Sequence, residues 1–515
     1  MKAKRTLIDK AHTLLFGKDL RVTEGEPYTE VREGDYSSYC PVEKYIDYNQ
    51  PMPEGCCDVR DFGADVNKSD AENAKAIQSA IDFCHKNGKG TVLVSGGCYV
   101  VTTIFLRSDV TLFIEKNSAL SANTTGKGYK HNALIYAKDC ENITITGGGK
   151  IIGNGTYFGL KPVIENMFTA APVIDVIEMR RDYRAQLRFA HKSKYGSILF
   201  TEKCRNVEIR NVIFEDSPWW THKMLMCDKV KITQCVINNN RNVANSDGFD
   251  IAGSCNVEID HCFVSTADDG IVIKNAIWCG CEKEMHSISV RNCEVISRTN
   301  CFKIGTETTY DIYDVCVENC SFMMTDLYPG AVSGVSIEAC DGARVHDIDV
   351  RNITMSRCTC PLFIRLGNRN RAAEVTASTA NKTEIVKEDD LSKPADKNQF
   401  DGKSEIYNIT VENIAASDAE LPVIVAGYKQ KGIVRCCRNI TLCNFDITYR
   451  NAAEVIDKRL FIPEYAKVYP ECWRFRNLPA YGLWARHCEN LRVEKFRCKG
   501  VDGTWRKERI LIDCK

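Results

Sequence analysis

Short stretches that alternate apolar and polar residues recur along the chain. CRNVEIRNVIF, CNVEIDHCFV, HSISVRNCEV and IYNITVENIAA share this form, and each reaches a polar residue that is often asparagine. The repeats follow one another at intervals of about 23 to 33 residues, with one longer gap. Alternation gives a strand one inward and one outward face. Short strands at this spacing predict a parallel β-helix with one coil per repeat.

The polar residue of each repeat is expected at the bend that follows the strand. Asparagine tolerates the left-handed backbone conformation, and its side chain can bond to its neighbour on the next coil. His261 occupies this ladder position and is therefore interpreted as structural. The ladder positions are Asn211, Gln234, His261, Asn292, Asn319, Asn352, Asn413 and Asn444.

Cysteine follows the ladder position in several repeats, and the chain has 27 cysteines in all. These thiols are predicted to stack inside the solenoid as small apolar fillers, rather than to form disulfides or bind metal. The four that define the pattern are Cys235, Cys262, Cys293 and Cys320.

A solenoid needs a cap at its open end, and Ser69-Asp70-Ala71-Glu72 fits a capping box at the start of a helix. Ala74, Ile77, Ile81 and Cys84 share one face of that helix, which ends at Asn87-Gly88. The predicted fold is therefore all-β, a single-stranded parallel β-helix with an N-terminal capping helix.

The predicted organisation is an N-terminal extension, residues 1–50, followed by one β-helix domain, residues 51–515. Two long insertions interrupt the repeats, at residues 157–196 and 370–405. Long ordered loops tend to line clefts. The extension is expected to pack either on the solenoid or on a second subunit, which leaves a homo-oligomer open.

Charge excludes some partners. Lys+Arg and Asp+Glu number 68 each in 515 residues, so neither nucleic acid nor a polybasic membrane contact is expected. The first 20 residues lack the apolar core of a signal peptide, and no run of about 20 apolar residues exists. We expect a cytoplasmic protein, in which the thiols stay reduced.

Three aspartates carry the candidate chemistry. Asp247 lies in NSDGFD, and Asp268 and Asp269 lie in ADDG about one coil later, each motif preceding a similar strand. Stacked coils are about 4.8 Å apart, so the three charges interact and one pKa should rise. A raised and an unraised carboxyl are what glycoside hydrolysis needs as acid and base. Taken singly they fit glycine-containing turns, but together they favour catalysis.

FGADVNKSDAENAKAIQSAID, DSPWWTHKM, NSDGFD and ADDGIVIK resemble the polygalacturonase family, the family 28 glycoside hydrolases, from about residue 56 to the end. The resemblance implies a right-handed, pectin-lyase-like β-helix that hydrolyses galacturonic acid linkages in pectin with inversion. It implies that Asp268 protonates the leaving oxygen and that Asp247 and Asp269 hold the nucleophilic water. Inversion requires roughly 6.5–9.5 Å between acid and base carboxyls.

The chain departs from that family at its substrate-reading positions. Asn300 stands where the histidine of Gly-His-Gly is expected, and Ser336 and Glu338 replace an Arg-x-Lys that binds the galacturonate carboxylate. These replacements argue against polygalacturonate as the substrate more strongly than they argue against hydrolysis of a glycoside. The predicted substrate-binding residues are Lys274, Asn300, Lys303, Glu307, Arg365 and Arg369.

Two of these residues have competing interpretations. Arg365 either binds an anionic sugar with both guanidinium nitrogens or forms a salt bridge with Glu338 or Glu307. Lys303 is interpreted as a charge partner of the aspartates.

Aromatic residues are further candidates. Trp219 and Trp220 are expected either to stack on sugar rings or to pack on the solenoid wall. Tyr481, Trp484 and Arg486 are expected to reach the cleft. WCGCEKEMH lacks matched Cys-x-x-Cys pairs and no phosphate-binding glycine loop is present, so neither a metal nor a cofactor is predicted.

The sequence thus predicts an inverting, exo-acting glycoside hydrolase on small imported oligosaccharides, galacturonate-containing pectin fragments among them. One alternative is a polysaccharide lyase on the same fold, with calcium held by the aspartates and Arg365 as the base. Another is a non-catalytic carbohydrate-binding solenoid.

Overall fold

The computed structural model describes residues 40–515, apart from residues 89, 158–159, 163–188, 192–194, 242, 244, 324–330, 371–403, 451–461, 476–477 and 501–503. Residues 1–39 of the N-terminal extension and most of both long insertions therefore lie outside the described part. No helix in the described part is long and apolar enough to cross a membrane.

The described chain winds into a solenoid of stacked parallel strands, as the repeats predict. Phe249–Ala252, for example, pairs in parallel with His222–Leu225 of the preceding coil and with Ile271–Asn275 of the next. The strands form three walls, which we call the first, second and third sheets in the order the chain visits them. The right-handed sense of the coil stays a prediction, consistent with the preference of parallel crossovers.

The strands of the three sheets have the following bounds. The first sheet contains Cys57–Asp58, Gly90–Val94, Val110–Ile114, Glu141–Thr146, Arg205–Glu215, Asp228–Asn238, Cys255–Asp260, Met285–Arg291, Ile312–Glu318, Arg344–Ser356, Glu405–Ala419, Cys437–Tyr449 and the end of Ala480–Lys499. The second contains Cys98–Val101, Ala119–Ala122, Lys150–Ile152, Phe263–Thr266, Glu294–Ser297, Ser321–Met323 and the C-terminal parts of the long first-sheet strands. The third contains Ile104–Phe105, Ala133–Lys138, Ser197–Glu202, His222–Leu225, Phe249–Ala252, Ile271–Asn275, Asn300–Thr308, Ala331–Ala339, Cys358–Leu366, Val423–Ala426, the start of Ala480–Lys499, and Lys507–Cys514.

The remaining elements are small. Two antiparallel pairs lie outside the walls, Leu160–Pro162 with Phe189–His191 and Tyr428–Gln430 with Ile433–Arg435. The helices are Val42–Tyr45 and Asp70–Lys86, with 3₁₀ turns at Val59–Phe62, Gly155–Tyr157, Ile277–Cys279 and Cys472–Phe475.

The asparagine ladder is confirmed. All eight predicted positions, from Asn211 to Asn444, have positive φ angles near 50° and turn the chain between the first and second sheets. Within the ladder the side-chain amide of Asn413 donates to Oδ1 of Asn352 at 2.9 Å, and that of Asn444 donates to Oδ1 of Asn413 at 2.8 Å. His261 adopts the same backbone conformation, as its structural interpretation requires.

The cysteines behave as fillers. Cys235, Cys262, Cys293 and Cys320 are all buried, and all 27 cysteines of the chain are free thiols. Cys262 Sγ lies 3.3 Å from the carbonyl oxygen of Asp260, two residues earlier, and the other three thiols make the same local contact. The thiols therefore fill the bend behind each ladder residue.

The capping helix is confirmed as Asp70–Lys86. The Ser69 hydroxyl accepts the backbone N–H of Glu72, and the Glu72 carboxylate accepts the backbone N–H of Ser69. Ile77 and Ile81 are fully buried against the first coil. The helix thus covers the apolar end of the solenoid.

The described end of the N-terminal extension packs on the solenoid. Tyr45 and Ile46 join a buried apolar cluster with Val236 and Phe263 of the second-sheet wall. The Tyr45 hydroxyl also donates to the Glu294 carboxylate at 3.0 Å. Residues 40–50 therefore cover the outside of the second sheet.

Candidate active site

The predicted site lies where the chain enters the third sheet. Asp247 precedes Phe249–Ala252, and Asp268 and Asp269 precede Ile271–Asn275 on the next coil. The glycine after each aspartate is required by packing, since a Cβ on Gly248 would lie 2.2 Å from the carbonyl oxygen of Gly270. The Asp-Gly motifs thus let consecutive coils approach closely while their carboxylates project at the same edge.

The three carboxylates meet as predicted. One oxygen each of Asp247, Asp268 and Asp269 lie within 4.8 Å of one another. Within the described residues these form the only group of three or more acidic, histidine or cysteine side chains packed this closely. These oxygens are closer together than the roughly 6.5–9.5 Å that separates the two carboxyl groups of an inverting glycosidase. The spacing therefore does not itself indicate inversion.

Asp268 is the most accessible member of the trio. Its side chain is half-buried, whereas Asp247 and Asp269 are 2% and 6% exposed. Asp268 Oδ1 accepts the hydroxyl of Thr299 at 3.1 Å and the backbone N–H of Asp269 at 3.0 Å. Its carboxyl is therefore the one that solvent can reach, while the other two are buried.

Asp269 is surrounded by groups that favour its charged form. The amide of Asn300 donates to its Oδ1 at 2.8 Å, and Lys303 Nζ lies 3.5 Å from its Oδ2. Burial alone would raise the pKa of Asp269, but the charges of Lys303 and Lys274 and the Asn300 hydrogen bond leave that pKa below its usual value. Asp269 is therefore held in its ionised form, and Lys303 is its charge partner as predicted.

Asp247 lies in the opposite environment. Burial, the charge of neighbouring Asp250 and the charges of the other two aspartates raise its pKa well above the usual value, with only Lys274 opposing them. Its Oδ1 is buried and has no hydrogen-bond partner among the described residues. The expected separation of carboxyl pKa values is thus present, between Asp247 and Asp269.

Asp250 is a site residue that the sequence analysis missed. It is fully buried, and Lys274 Nζ donates to its Oδ1 at 2.8 Å and lies 3.5 Å from Asp247 Oδ2. Burial raises the pKa of Asp250 to about 7 in spite of that lysine. The outward position of Asp250 could have been predicted from NSDGFD, because strand residues alternate between the two faces of a sheet.

Lys274 was predicted as a substrate ligand, but its ammonium is committed within the protein. It is 5% exposed and holds Asp250 and Asp247 together, and it lies 3.8 Å from the centroid of the Trp220 ring. Trp220 thus packs over this lysine, as one of its two interpretations expected, and remains partly exposed. Lys274 is therefore a positioning residue for the two buried carboxyls.

A segment after the long loops contributes two further side chains that no motif revealed. Glu471 Oε1 lies 3.6 Å from Lys303 Nζ, and the Tyr469 ring centroid lies 5.5 Å from the same atom. Both precede the 3₁₀ turn Cys472–Phe475. The sequence around Tyr469 and Glu471 shows neither the helical nor the strand pattern of apolar residues. Only the fold brings these two side chains to Lys303.

Glu338 is buried beside the same lysine. Its carboxylate accepts the hydroxyls of Thr306 at 2.6 Å and Ser336 at 2.7 Å. Burial raises its pKa to about 8, against the lowering effect of Lys303. A neutral carboxyl therefore stands at neutral pH where the resemblance expects a cation.

Arg365 departs from both predictions. Its guanidinium donates to the backbone carbonyl oxygens of Ala426, Gly427 and Glu464, the last two at 2.8 and 2.6 Å. The side chain is 1% exposed, and burial lowers its pKa to about 10. Arg365 does not face a ligand because the segment that carries Glu464 covers this long outward side chain.

Arg369 and Glu307 also differ from the predicted pocket. Arg369 Nε donates to Asp341 Oδ1 at 3.1 Å, and Arg369 Nη2 lies 3.7 Å from Glu307 Oε1. Arg369 is largely covered, and the carboxylate of Asp341 holds it in place. The pair therefore forms part of the cleft wall, with Arg369 neutralised by two acids.

The segment with Tyr481, Trp484 and Arg486 does not reach the aspartates. Trp484 is fully buried in a separate apolar cluster, in which it packs against Phe475. Arg486 donates to the carbonyl oxygens of Ile462 and Pro463. Trp484 and Arg486 thus anchor the 462–475 segment, and their effect on the site is indirect.

A sequence profile described as "Glycosyl hydrolases family 28" matches residues 84–458, which contain all three aspartates. The chain belongs to family 28 of the glycosyl hydrolases. This confirms the resemblance and, at the level of the family, the prediction of a glycosidase.

Among sequence relatives, a probable polygalacturonase of Arabidopsis thaliana is 23% identical over 343 residues, which cover 64% of this chain and 66% of the relative. An exopolygalacturonase of Zea mays is 25% identical over 358 residues, which cover 65% and 77%. The alignment spans just under two thirds of the Arabidopsis protein.

Among solved structures, an exopolygalacturonase from Thermotoga maritima matches with a TM-score of 0.58 and 18% identity, covering 88% of this chain and 94% of that one. The adhesin PfbA of Streptococcus pneumoniae matches with a TM-score of 0.52 and 13% identity, covering 89% and 100%. Both likenesses show the fold alone. A fold shared with an adhesin does not establish catalysis, so function must rest on the site.

Proposed function

We propose that this family 28 protein is an exo-acting glycosidase that hydrolyses small oligosaccharides, galacturonate-containing pectin fragments among them. The observation that carries the proposal is the trio of Asp247, Asp268 and Asp269, in which one accessible carboxyl stands beside two buried ones. Hydrolysis of a glycosidic bond needs one carboxyl at the leaving oxygen and another that holds the attacking water.

The proposed roles follow accessibility. Asp268 is the half-buried member and protonates the leaving glycosidic oxygen. Asp269 is held ionised by Lys303 and Asn300, and together with Asp247 it positions the attacking water. The unpartnered Oδ1 of Asp247 offers a site for that water. Inversion is part of the proposal, and it rests on the family resemblance rather than on the carboxyl spacing.

The exo mode is supported by one structural feature and by the relatives. The segment with Tyr469 and Glu471 closes over Lys303 at one side of the trio. The Zea mays relative and the Thermotoga maritima structure are both exopolygalacturonases by name, whereas a Pectobacterium relative is an endo-polygalacturonase. A cytoplasmic location completes the proposal, because only short fragments would then reach the enzyme.

The experiment is a digestion of defined uronic and neutral oligosaccharides, with released reducing ends and chain lengths followed over time. An exo-acting hydrolase shortens every chain by one terminal unit at a time, and proton NMR of the first product shows an inverted anomeric configuration. Random internal cuts at equal rates would overturn the exo assignment, and a retained anomer would overturn inversion.

The same digestion separates the alternatives. A lyase introduces a double bond, so new ultraviolet absorbance without water uptake would replace the hydrolase proposal by a lyase. A non-catalytic solenoid would bind a sugar and raise the melting temperature without any turnover. The binding-only result is not expected, since a solenoid that only binds sugar has no need of three clustered carboxylates.

A further inference from the structure

Lys223 lies on the outward face of the third sheet, one coil before the catalytic edge. It is the register partner of Phe200 on one side and of Asp250 on the other. Stacked coils are about 4.8 Å apart, on the scale of a single sugar ring. A ligand at Lys223 therefore lies beside a sugar bound at the aspartates.

The lysine head is framed by aromatic rings. Lys223 Nζ lies 4.5 Å from the ring centroid of Phe200 and 5.7 Å from that of Trp220. Trp220 also lies over Lys274, so its indole stands between the subsite and the buried carboxyls. Aromatic walls exclude water and strengthen a charge contact while offering a surface to a sugar ring.

Lys223 differs from the other cations near the site because it forms no ion pair with a carboxylate of the described chain. Lys274, Lys303 and Arg369 each have a carboxylate oxygen within 4 Å. In the described part of the chain, Lys223 Nζ has neither a carboxylate within that distance nor a hydrogen-bond acceptor, and the side chain is half-buried rather than sealed. Its donors thus remain available to a ligand.

The catalytic centre itself offers no favourable binding site for an anion. Asp247, Asp250, Asp268 and Asp269 outnumber the adjacent lysines, and Glu338 stands at a position where the family resemblance expects a lysine. A sugar carboxylate placed there would meet the ionised Asp269 and no lysine that lacks a carboxylate partner. The nearest place for such a carboxylate is one coil away.

We propose that Lys223, with Phe200 and Trp220, forms a subsite for a uronic acid residue adjacent to the sugar that is bound at the catalytic aspartates. The inference rests on the proposed function and deepens it. The preferred substrate then carries its carboxylate next to the cleaved sugar residue, and that residue itself is neutral. Burial lowers the pKa of Lys223, partly offset by the nearby Cys279, Cys281 and Asp250, and a bound carboxylate would further favour the charged form of the lysine.

The kinetic test compares wild type, Lys223→Met, Lys223→Arg and Lys231→Met on an acidic oligosaccharide and on its carboxyl-reduced counterpart. Lys231 is an exposed lysine of the first sheet and serves as the matched control. Lys223→Met should raise KM for the acidic substrate about tenfold or more while kcat stays within about twofold. KM for the reduced substrate should not change, and Lys223→Arg should keep most of the preference.

The inference is overturned if Lys223→Met changes KM equally for both substrates or for neither. A second measurement does not depend on turnover. Calorimetry of a uronate-containing trisaccharide with Asp268→Asn protein should give a Kd that rises about tenfold or more when Lys223→Met is added, and not when Lys231→Met is added. Equal Kd values, or no uronate binding at all, would contradict the subsite. Failure of the wild type to hydrolyse any glycoside would instead contradict the proposed function.

Discussion

The side-chain amide of Asn300 donates a hydrogen bond of 2.8 Å to Oδ1 of Asp269. The family resemblance places a histidine at this position, which could exchange a proton with the site. An amide cannot, so here the residue only fixes the ionised form and orientation of Asp269. Proton transfer in this centre is therefore left to carboxyl groups.

Replacing Asn300 by aspartate should shift the acid limb of the pH profile. A second carboxylate beside Asp269 raises the pKa of Asp269, so Asp269 stays protonated to a higher pH and kcat/KM is lost earlier as pH falls. A pH series of kcat/KM measures this. Asn292→Asp is the matched control, because Asn292 donates to Asp260 at 2.8 Å outside the site. A profile that coincides with that of the control would contradict the assigned role.

Lys274→Met should strongly destabilise the protein. The substitution leaves Asp250 and Asp247 buried without their cation, and breaking a buried pair costs about 3–5 kcal/mol of unfolding free energy. Adding Asp250→Asn should recover part of that loss, as expected of coupled sites. Urea denaturation gives the values. Lys203→Met, which removes an exposed ion pair with Glu282, should cost less than about 1 kcal/mol. Equal losses for the two lysines would contradict the account.

Glu338→Gln should flatten the pH dependence of stability. The Glu338 carboxyl has a pKa of about 8 in the folded protein and 4.5 ordinarily, so the folded state binds the extra proton between these values. Its contribution is complete below about pH 4.5 and is lost as pH rises through 8. Melting temperatures from pH 4 to 9 should therefore decline more in wild type than in Glu338→Gln. The exposed Glu494→Gln variant should follow wild type, and parallel curves for all three would exclude a neutral Glu338.

Ser69→Ala should cost about 1 kcal/mol of unfolding free energy. The substitution removes the side-chain oxygen that accepts the Glu72 backbone N–H at the start of the capping helix. Ser79→Ala, on the exposed face of the same helix, replaces serine by a better helix former and should cost nothing. If both changes have the same effect in thermal unfolding, the capping box does not stabilise the solenoid end.

The fold was predictable because its determinants are local and repeated. Asn413 and Asn444 mark successive coils by the conformation that asparagine tolerates, and the alternation before them sets the inward face of each strand. The same repeat brought Asp247 and Asp268 together, since residues one coil apart must stack. The register of strands along the solenoid can therefore be predicted from the sequence.

Contacts across the cleft were not predictable. Glu471 reaches Lys303 and Glu464 covers Arg365 from a segment whose path no periodicity specifies. An outward arginine in a strand therefore looks like a ligand until the segment that covers it is known. Asp250 was within reach, because strand alternation with the inward Phe249 and Ile251 places its side chain on the outward face.

The most direct test of the account is turnover by Asp268→Asn beside Asp349→Asn, an exposed aspartate of the first sheet. Reducing ends are measured on the best oligosaccharide found for wild type, with circular dichroism to verify folding. The account predicts that Asp268→Asn loses at least about a hundredfold in kcat, the usual scale of general acid catalysis, while Asp349→Asn keeps wild-type activity. A folded Asp268→Asn protein with unchanged kcat would contradict the claim that this carboxylate trio performs the hydrolysis.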